Sequence, residues 1–399
     1  MIHSETLIIG GGITGVSTAL HLVRHGIDVL LLEKGEIANE ASGQNMGGLG
    51  GMGWGNVPDL NSHLTMGSLE IFKQLQIDLG YDIEFRQSGS LSGIHTVEQF
   101  EYMRDKLIQL KSNGYVGEFL TPREAQSIEP EVNPNLMGYT YAPLRGQADP
   151  VKSTRAFANA AQKMGASVKT GQEVISIAVG SAKGYTLTTV QETYVCDTLV
   201  LACGAWCGPV GEVLGLNIPV VPIRGQMWAT SSLPPRIFHH ISSAESSFKW
   251  SQNDGSDNYT PPNLTHDNNQ RITRHLYGRQ RRNGEIIFGG DRQELGYNMT
   301  PETAGIKINY GHAAEVIPLL ANLPITRTWA GLMPFTLDGD PIVGKIPVRD
   351  NLYVVSGLAS SGFGRGPMAG KLVADYIRSG HMPQILKESD PARCVTELV

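Results

Sequence analysis

The first ordered pattern in the chain is an apolar strand that runs straight into glycine. Thr6-Leu7-Ile8-Ile9 is followed at once by Gly10, Gly11 and Gly12. Beyond them, "VSTALHLVRHG" carries apolar positions at helical spacing and stops on Gly26. "DVLLLE" is a second apolar strand, closed by Glu33. The order strand, turn, helix, strand is that of a βαβ unit. Further along, "TLVLACGAWC" (198–207) reads as a buried strand entering a glycine turn. "GASVKTGQEVISI" reads as strand–turn–strand, and residues 96–114 as an amphipathic surface helix. "LYVVSGLASSGFG" reads as a strand and a Gly/Ser loop, with a helix from about Pro367. Residues 240–274 are polar, without apolar periodicity and too long for an ordinary connection; they suit a lid, an interface arm or a disordered stretch. From Thr328 to Leu337 there is no charge, which suits a buried strand or the wall of a site.

The glycines of the first unit give this pattern a chemistry. In Gly10-x-Gly12-x-x-Gly15, the first makes the tight turn, the second admits a pyrophosphate to the backbone, and the third lets helix and strand pack closely. The helix N-terminus offers free N–H groups to phosphate. Glu33 stands where ribose hydroxyls are bound. A dinucleotide is therefore expected. A nicotinamide-binding unit would continue into another helix and strand. Here Ala38–Asn56 is a glycine-rich loop with Ser42, Gln44 and Asn45, suited to lie flat against a large planar ligand, and this favours FAD.

Composition narrows the picture. The chain has 399 residues, 41% of them hydrophobic, with a net charge of −6 and 47 glycines. Length allows two or three domain-sized cores. The charge argues against a nucleic-acid partner. Cys196, Cys203, Cys207 and Cys394 form no CxxC pair and read as small core residues, so no metal is expected. The N-terminus lacks a basic region, and three consecutive glycines interrupt the apolar run Leu7–Val23, so neither a signal peptide nor a transmembrane segment is read there. A cytoplasmic protein is expected, with peripheral membrane association and a homo-oligomer left open.

These segments, with "PIRGQM" (222–227), "NGEIIFGG" (283–290) and "RTWAGLMPFTLDGDPIVG" (327–344), occur in the order and spacing of a known group. The chain resembles the D-amino-acid oxidase family of flavoproteins, which includes glycine oxidase, the sarcosine oxidases, D-amino-acid dehydrogenase and hydrogen cyanide synthase. The resemblance implies an α/β fold: a Rossmann-like, glutathione-reductase-like FAD-binding domain with an α+β substrate domain built on an antiparallel sheet. It implies a discontinuous FAD-binding domain (1–82, 147–222, 325–385), a substrate domain (83–146, 223–324) and a tail (386–399). It implies FAD contacts from Gly10, Gly12, Ile13, Thr14, Gly15, Glu33 and Lys34. The loop would add Ala41, Ser42, Gln44, Asn45, Met46, Gly47 and Gly48. Val174 would meet the adenine, and Gly204, Trp206, Gly331, Leu358, Ser360, Ser361, Gly362, Phe363 and Gly364 would complete the cradle. Covalent members use a cysteine or histidine; those positions align with Gly331 and near Gly47, so non-covalent FAD is expected.

The implied reaction is hydride transfer from the carbon beside an amine nitrogen to flavin N5, in an amine or unusual amino acid, giving an imine. Such chemistry needs no side-chain acid or base, so no catalytic residue is assigned. Two alternatives stand beside it: oxidation of a 2-hydroxy acid, and an FAD-binding assembly protein without turnover. The electron acceptor is open among oxygen, a quinone and a partner protein; "EIIF" (285–288) lacks the lysine of the sarcosine-oxidase branch and tilts towards a dehydrogenase. Glycine-oxidase-like members hold the substrate carboxylate with two arginines. Here those positions are Met333 and Ser360. Either the carboxylate is held elsewhere or the substrate has none there. Tyr277, Met333, Ser360, Arg365 and Arg279 are the substrate-facing candidates, with Arg145 and Arg224 behind them. Arg292 lies beside the Tyr277 strand. Arg279, Arg281 and Arg282 read as a solvated basic face, and His275 and His312 as surface or satisfied histidines.

Overall fold

A computed structural model describes residues 1–50, 59–112, 114–180, 184–252 and 259–398. The part of the glycine-rich loop from Gly51 to Asn56, and Asn253 to Asn258 of the polar segment, lie outside the described residues.

Two sheets organise the chain. The first has eight strands. Its centre is parallel: Ile2–Ile9 pairs with Val29–Leu32 on one side and Thr193–Leu201 on the other, and the latter pairs with Leu352–Ser356. Leu7, Ile8, Leu30, Leu31, Leu199 and Val200 are buried because helices or chain cover both faces. The glycine-motif helix Ile13–Arg24 lies against the C-terminal helix Gly362–Ser379. Their contact is close because it is built of small residues. A Cβ on Gly370 would stand 2.8 Å from Thr18 N, and one on Gly366 2.8 Å from Ile13 Cγ2. Ser17 Oγ donates to Pro367 O at 2.8 Å, and His25 Nε2 pairs with Asp375 at 2.8 Å. The C-terminal helix therefore starts at Gly362, not near Pro367. Gly366 and Gly370 serve close helix packing.

The second sheet has nine strands, antiparallel except where His240–Ser243 runs parallel to Ser90–Ile94. Trp228, Tyr139, Phe288 and Leu276 fill the core under its outer face, closed by helix Thr303–Val316. The polar segment supplies an internal strand of this sheet and the helix Glu245–Ser251, so residues 240–251 are built into the fold and border the cavity. Its strand is hidden in sequence because three of its four residues, His240, Ser242 and Ser243, are polar. The strand Ile325–Thr336 also belongs to this sheet, paired along its length with Val220–Ser232, whereas the sequence places 325–336 with the nucleotide-binding part. Among the described residues, no helix is long and apolar enough to cross a membrane.

Candidate active site

One cavity of about 1040 Å³ runs from the glycine turn to the second sheet. At its first end Gly10 adopts φ +117°, and a Cβ there would lie 2.4 Å from Ala202 O. Gly15 is packed behind it, where a Cβ would lie 2.0 Å from Gly10 O. Gly12 differs: a Cβ would meet only Ser42 Oγ, at 3.1 Å, and otherwise project into the cavity. Glu33 is buried, with Oε2 accepting from Gly11 N at 2.6 Å and Oε1 from Gly35 N at 2.7 Å. An ionised carboxylate has about four acceptor directions, so two remain for a ligand. Lys34 Nζ sits 4.0 Å above the Trp206 ring.

Of the residues expected at the cofactor, all but Gly15 and Gly47 line this cavity. Gly47, at φ +85°, is instead packed on the Ala148 carbonyl. The loop is fixed from outside. Trp329 Nε1 donates to Gln44 O at 2.8 Å, and Arg279 Nη2 to Ala148 O at 3.0 Å. Arg279 Nε donates to Met46 O. Arg279 is 1% exposed, does not line the cavity, and is pushed down to about 10 by burial. It is thus neither on a solvated face nor a substrate contact; it buttresses the loop. Arg281 pairs with Asp149 and Glu285, and Arg282 with Asp82 at the surface. Arg224 is also structural, bonded to Thr300 O and Gln293 Oε1 and paired with Glu302.

Tyr277, Met333, Ser360 and Arg365 do line the cavity. Arg365 is committed to Asn61 Oδ1 (2.7 Å) and Thr65 Oγ1 (3.1 Å). The cation that faces the space beside Ser360 is Arg292. Its Nη2 donates to Ser360 Oγ at 2.8 Å and to His275 Nε2 at 3.1 Å, and its Nη1 to Asn263 O at 3.1 Å. Its guanidinium stacks 4.5 Å over Trp250, and its Nε is buried without a partner among the described residues. Every one of these partners is neutral. Burial pushes Arg292 down to about 10. Because Arg292 donates to Nε2, His275 presents an acceptor there and its Nδ1–H faces Ser246 Oγ at 2.6 Å. Burial and Arg292 hold His275 well below its usual value, so it is neutral, and burial raises the Tyr277 phenol. His275 is thus a cavity residue, while His312 is buried with neither ring nitrogen hydrogen-bonded among the described residues and its Nε2 3.7 Å from Glu245 Oε2. Trp250, His275 and Arg292 were not assigned from sequence. The one signal for Arg292 was its place just past the strand Glu285–Gly289, with its neighbour Asp291 already neutralised by Arg271.

Elsewhere, His95, His312 and Glu315 bring ligand atoms within 4.8 Å of one another. Arg274 bonds both oxygens of Glu315, at 2.7 and 3.0 Å, and so places a cation at that cluster.

Comparison with known proteins meets this geometry directly. The family model for DAO, FAD dependent oxidoreductase, matches residues 5–376. The chain belongs to this family. Members similar to it include a glycine oxidase of Bacillus licheniformis, 28% identical over 94% of this chain and 92% of that protein. A sarcosine oxidase subunit beta of Arthrobacter sp is 28% identical over 94% and 86%. The crystal structure of an L-proline dehydrogenase from P. horikoshii superposes with a TM-score of 0.83, at 26% identity and 98% coverage of both chains. The family is FAD-dependent, and this cavity suits FAD on its own terms. A Cβ-free approach at Gly12, two helix N-termini bordering one space, and a carboxylate with free acceptor directions match a pyrophosphate and a ribose.

Proposed function

We propose that this FAD-dependent oxidoreductase oxidises the C–N bond of an amino acid whose carboxylate is held by Arg292. The observation that carries this reading is a buried guanidinium whose described partners are all neutral. An unpaired buried charge is costly, and a substrate carboxylate would complete it with charge-assisted bonds. The carboxylate would thus be held elsewhere than at Met333, by a cation from a different strand reaching to position 360. The names of the relatives support the class, since glycine, sarcosine and L-proline are all amino acids.

In this reading Gly12, Ile13, Thr14 and Glu33 hold the nucleotide half of FAD non-covalently, and Ser42, Gln44, Asn45, Met46, Gly48, Gly331 and the start of the C-terminal helix hold the rest. FAD, when bound, supplies a hydride acceptor. The chain's own part is to bind and orient. Arg292 and Ser360 anchor one end of the substrate, Trp250 keeps the guanidinium flat, and neutral His275 fixes its rotation. Tyr277 and Met333 close the sides and exclude water. The two-domain division is proposed with one adjustment, residues 325–336 going to the substrate part.

The test is anaerobic flavin reduction. Glycine, sarcosine, proline and N-alkylated amino acids should bleach the flavin, and the matched amines lacking a carboxylate should not. Equal reduction by both classes, or Arg292→Gln acting on neither, would overturn the reading.

A further inference from the structure

The cavity continues past this pocket into a second lobe that the proposed oxidation leaves unused. Its floor is one face of the nine-stranded sheet. Register carries a row of side chains across it: Tyr277 stands opposite Ser242, Ser242 opposite Ser92, and Ser92 opposite Thr140. All four line the cavity, so the floor passes from aromatic to hydroxyl. At its far side are two cations, Arg145, just past the strand Gly138–Ala142, and Lys106 on the helix Val97–Ser112. Lys106 Nζ donates to Tyr102 Oη at 2.8 Å. Arg145 Nε is buried and unpartnered among the described residues. His240 beside it is 2% exposed, with neither ring nitrogen bonded. The acids that line the cavity, Glu33, Glu40 and Glu173, belong to the nucleotide end.

Two cations, a buried imidazole unpaired among the described residues and a hydroxyl floor, with no acid among the described lining residues of the lobe, form a receptor for an anion. We propose that the lobe binds a second carboxylate, so that the substrate is an amino acid bearing a further acid group on its side chain or nitrogen substituent. This rests on the reading of Arg292 above. Four inter-strand spacings, ~19 Å, separate the strands that precede the two arginines, a span that a mid-length dicarboxylate bridges once each arginine has reached inwards.

The test uses oxidised holoenzyme and the perturbation of its flavin absorbance. Straight-chain dicarboxylates from succinate to suberate are titrated beside monocarboxylates of equal length. One mid-length dicarboxylate should bind roughly 10-fold tighter than its monocarboxylate match, the value of one charge-assisted pair. Arg145→Gln should bring that ratio to about one, and Arg145→Lys should retain part of it, with FAD content reporting the fold. Equal affinity of the two series in the wild type overturns the second site, as does an advantage that survives Arg145→Gln. Weakening of both series by Arg292→Gln upholds the first anchor. If only the dicarboxylate advantage remains and Arg292→Gln changes nothing, the reading of Arg292 fails while the lobe stands. Absence of binding by either series overturns both.

Discussion

In the proposed reading, the two ends of the cavity recognise their ligands by opposite means. At the nucleotide end, the decisive features are missing side chains: Gly10, Gly12 and Gly15 let backbone approach backbone or ligand, and Glu33 is tied to two amides. At the proposed substrate end, the groups are side chains drawn from separate segments, Trp250, His275, Arg292 and Ser360, which meet only in the folded state. A backbone site is lost by adding atoms. A side-chain site is lost by removing charge.

The most severe test of this contrast is Gly12→Val. The new side chain enters the space meant for pyrophosphate, so the purified variant should carry no FAD by absorbance while remaining folded by circular dichroism. Wild-type protein should release its FAD on acid denaturation, since Gly331 and Gly47 offer no attachment atom. Full flavin occupancy in the valine variant would remove the nucleotide from this end. Next in size is Arg292→Gln. FAD content should be unchanged, and the Kd for amino-acid substrates in anaerobic flavin reduction should rise about 100-fold, as for loss of a charged pair worth ~2–3 kcal/mol. Loss of FAD in this variant would blur the division between the ends.

Glu33→Ala sharpens the comparison from the other side. It removes ribose contacts and leaves the Gly11 and Gly35 amides without their acceptor, so FAD affinity should fall by ~1–3 kcal/mol, measured by titrating apoprotein, with substrate selectivity intact. The smallest effect lies outside both ends. Burial, then Arg274, lowers His312 from 6.5 to about 4, and Glu245, His95 and Glu315 also face it. The unfolded chain therefore binds this proton more readily. Stability should be complete above pH 6.5 and fall as pH drops towards 4. Thermal unfolding of His312→Gln should show a shallower decline across that window. Some slope should remain, because His21 is lowered to about 3 by the same kind of burial. An identical slope would show that His312 is not protonated on unfolding.

Legibility in the sequence followed the same division. The glycine turn, its helix and Glu33 lie within one short stretch, so period and spacing expose them. Tyr277 and Ser360 were found by resemblance to related chains. Arg292 was passed over because its meaning depends on residues 68 positions away at Ser360 and 29 away at Asn263. Arg279 was misread because a charged residue beside two other arginines looks solvated, whereas its strand turns it inward beneath the loop. The strand His240–Ser243 escaped notice because its polar residues face the cavity floor.

The pairing of the glycine-motif helix with the helix Gly362–Ser379 has a consequence for how the protein is made. One half of this helix pair is complete once residue 34 has been synthesised, and the other begins only after the strand Leu352–Ser356. At ~5–20 residues per second, the two halves leave the ribosome roughly 15–65 s apart. Throughout that interval Thr14, Ser17 and Thr18 lack the partner helix that covers them, and the cofactor has half a site. Flavin capture is thus expected to be a late event in biosynthesis. A ribosome stalled before residue 352 would display an apolar, glycine-lined surface that a chaperone could hold and FAD could not.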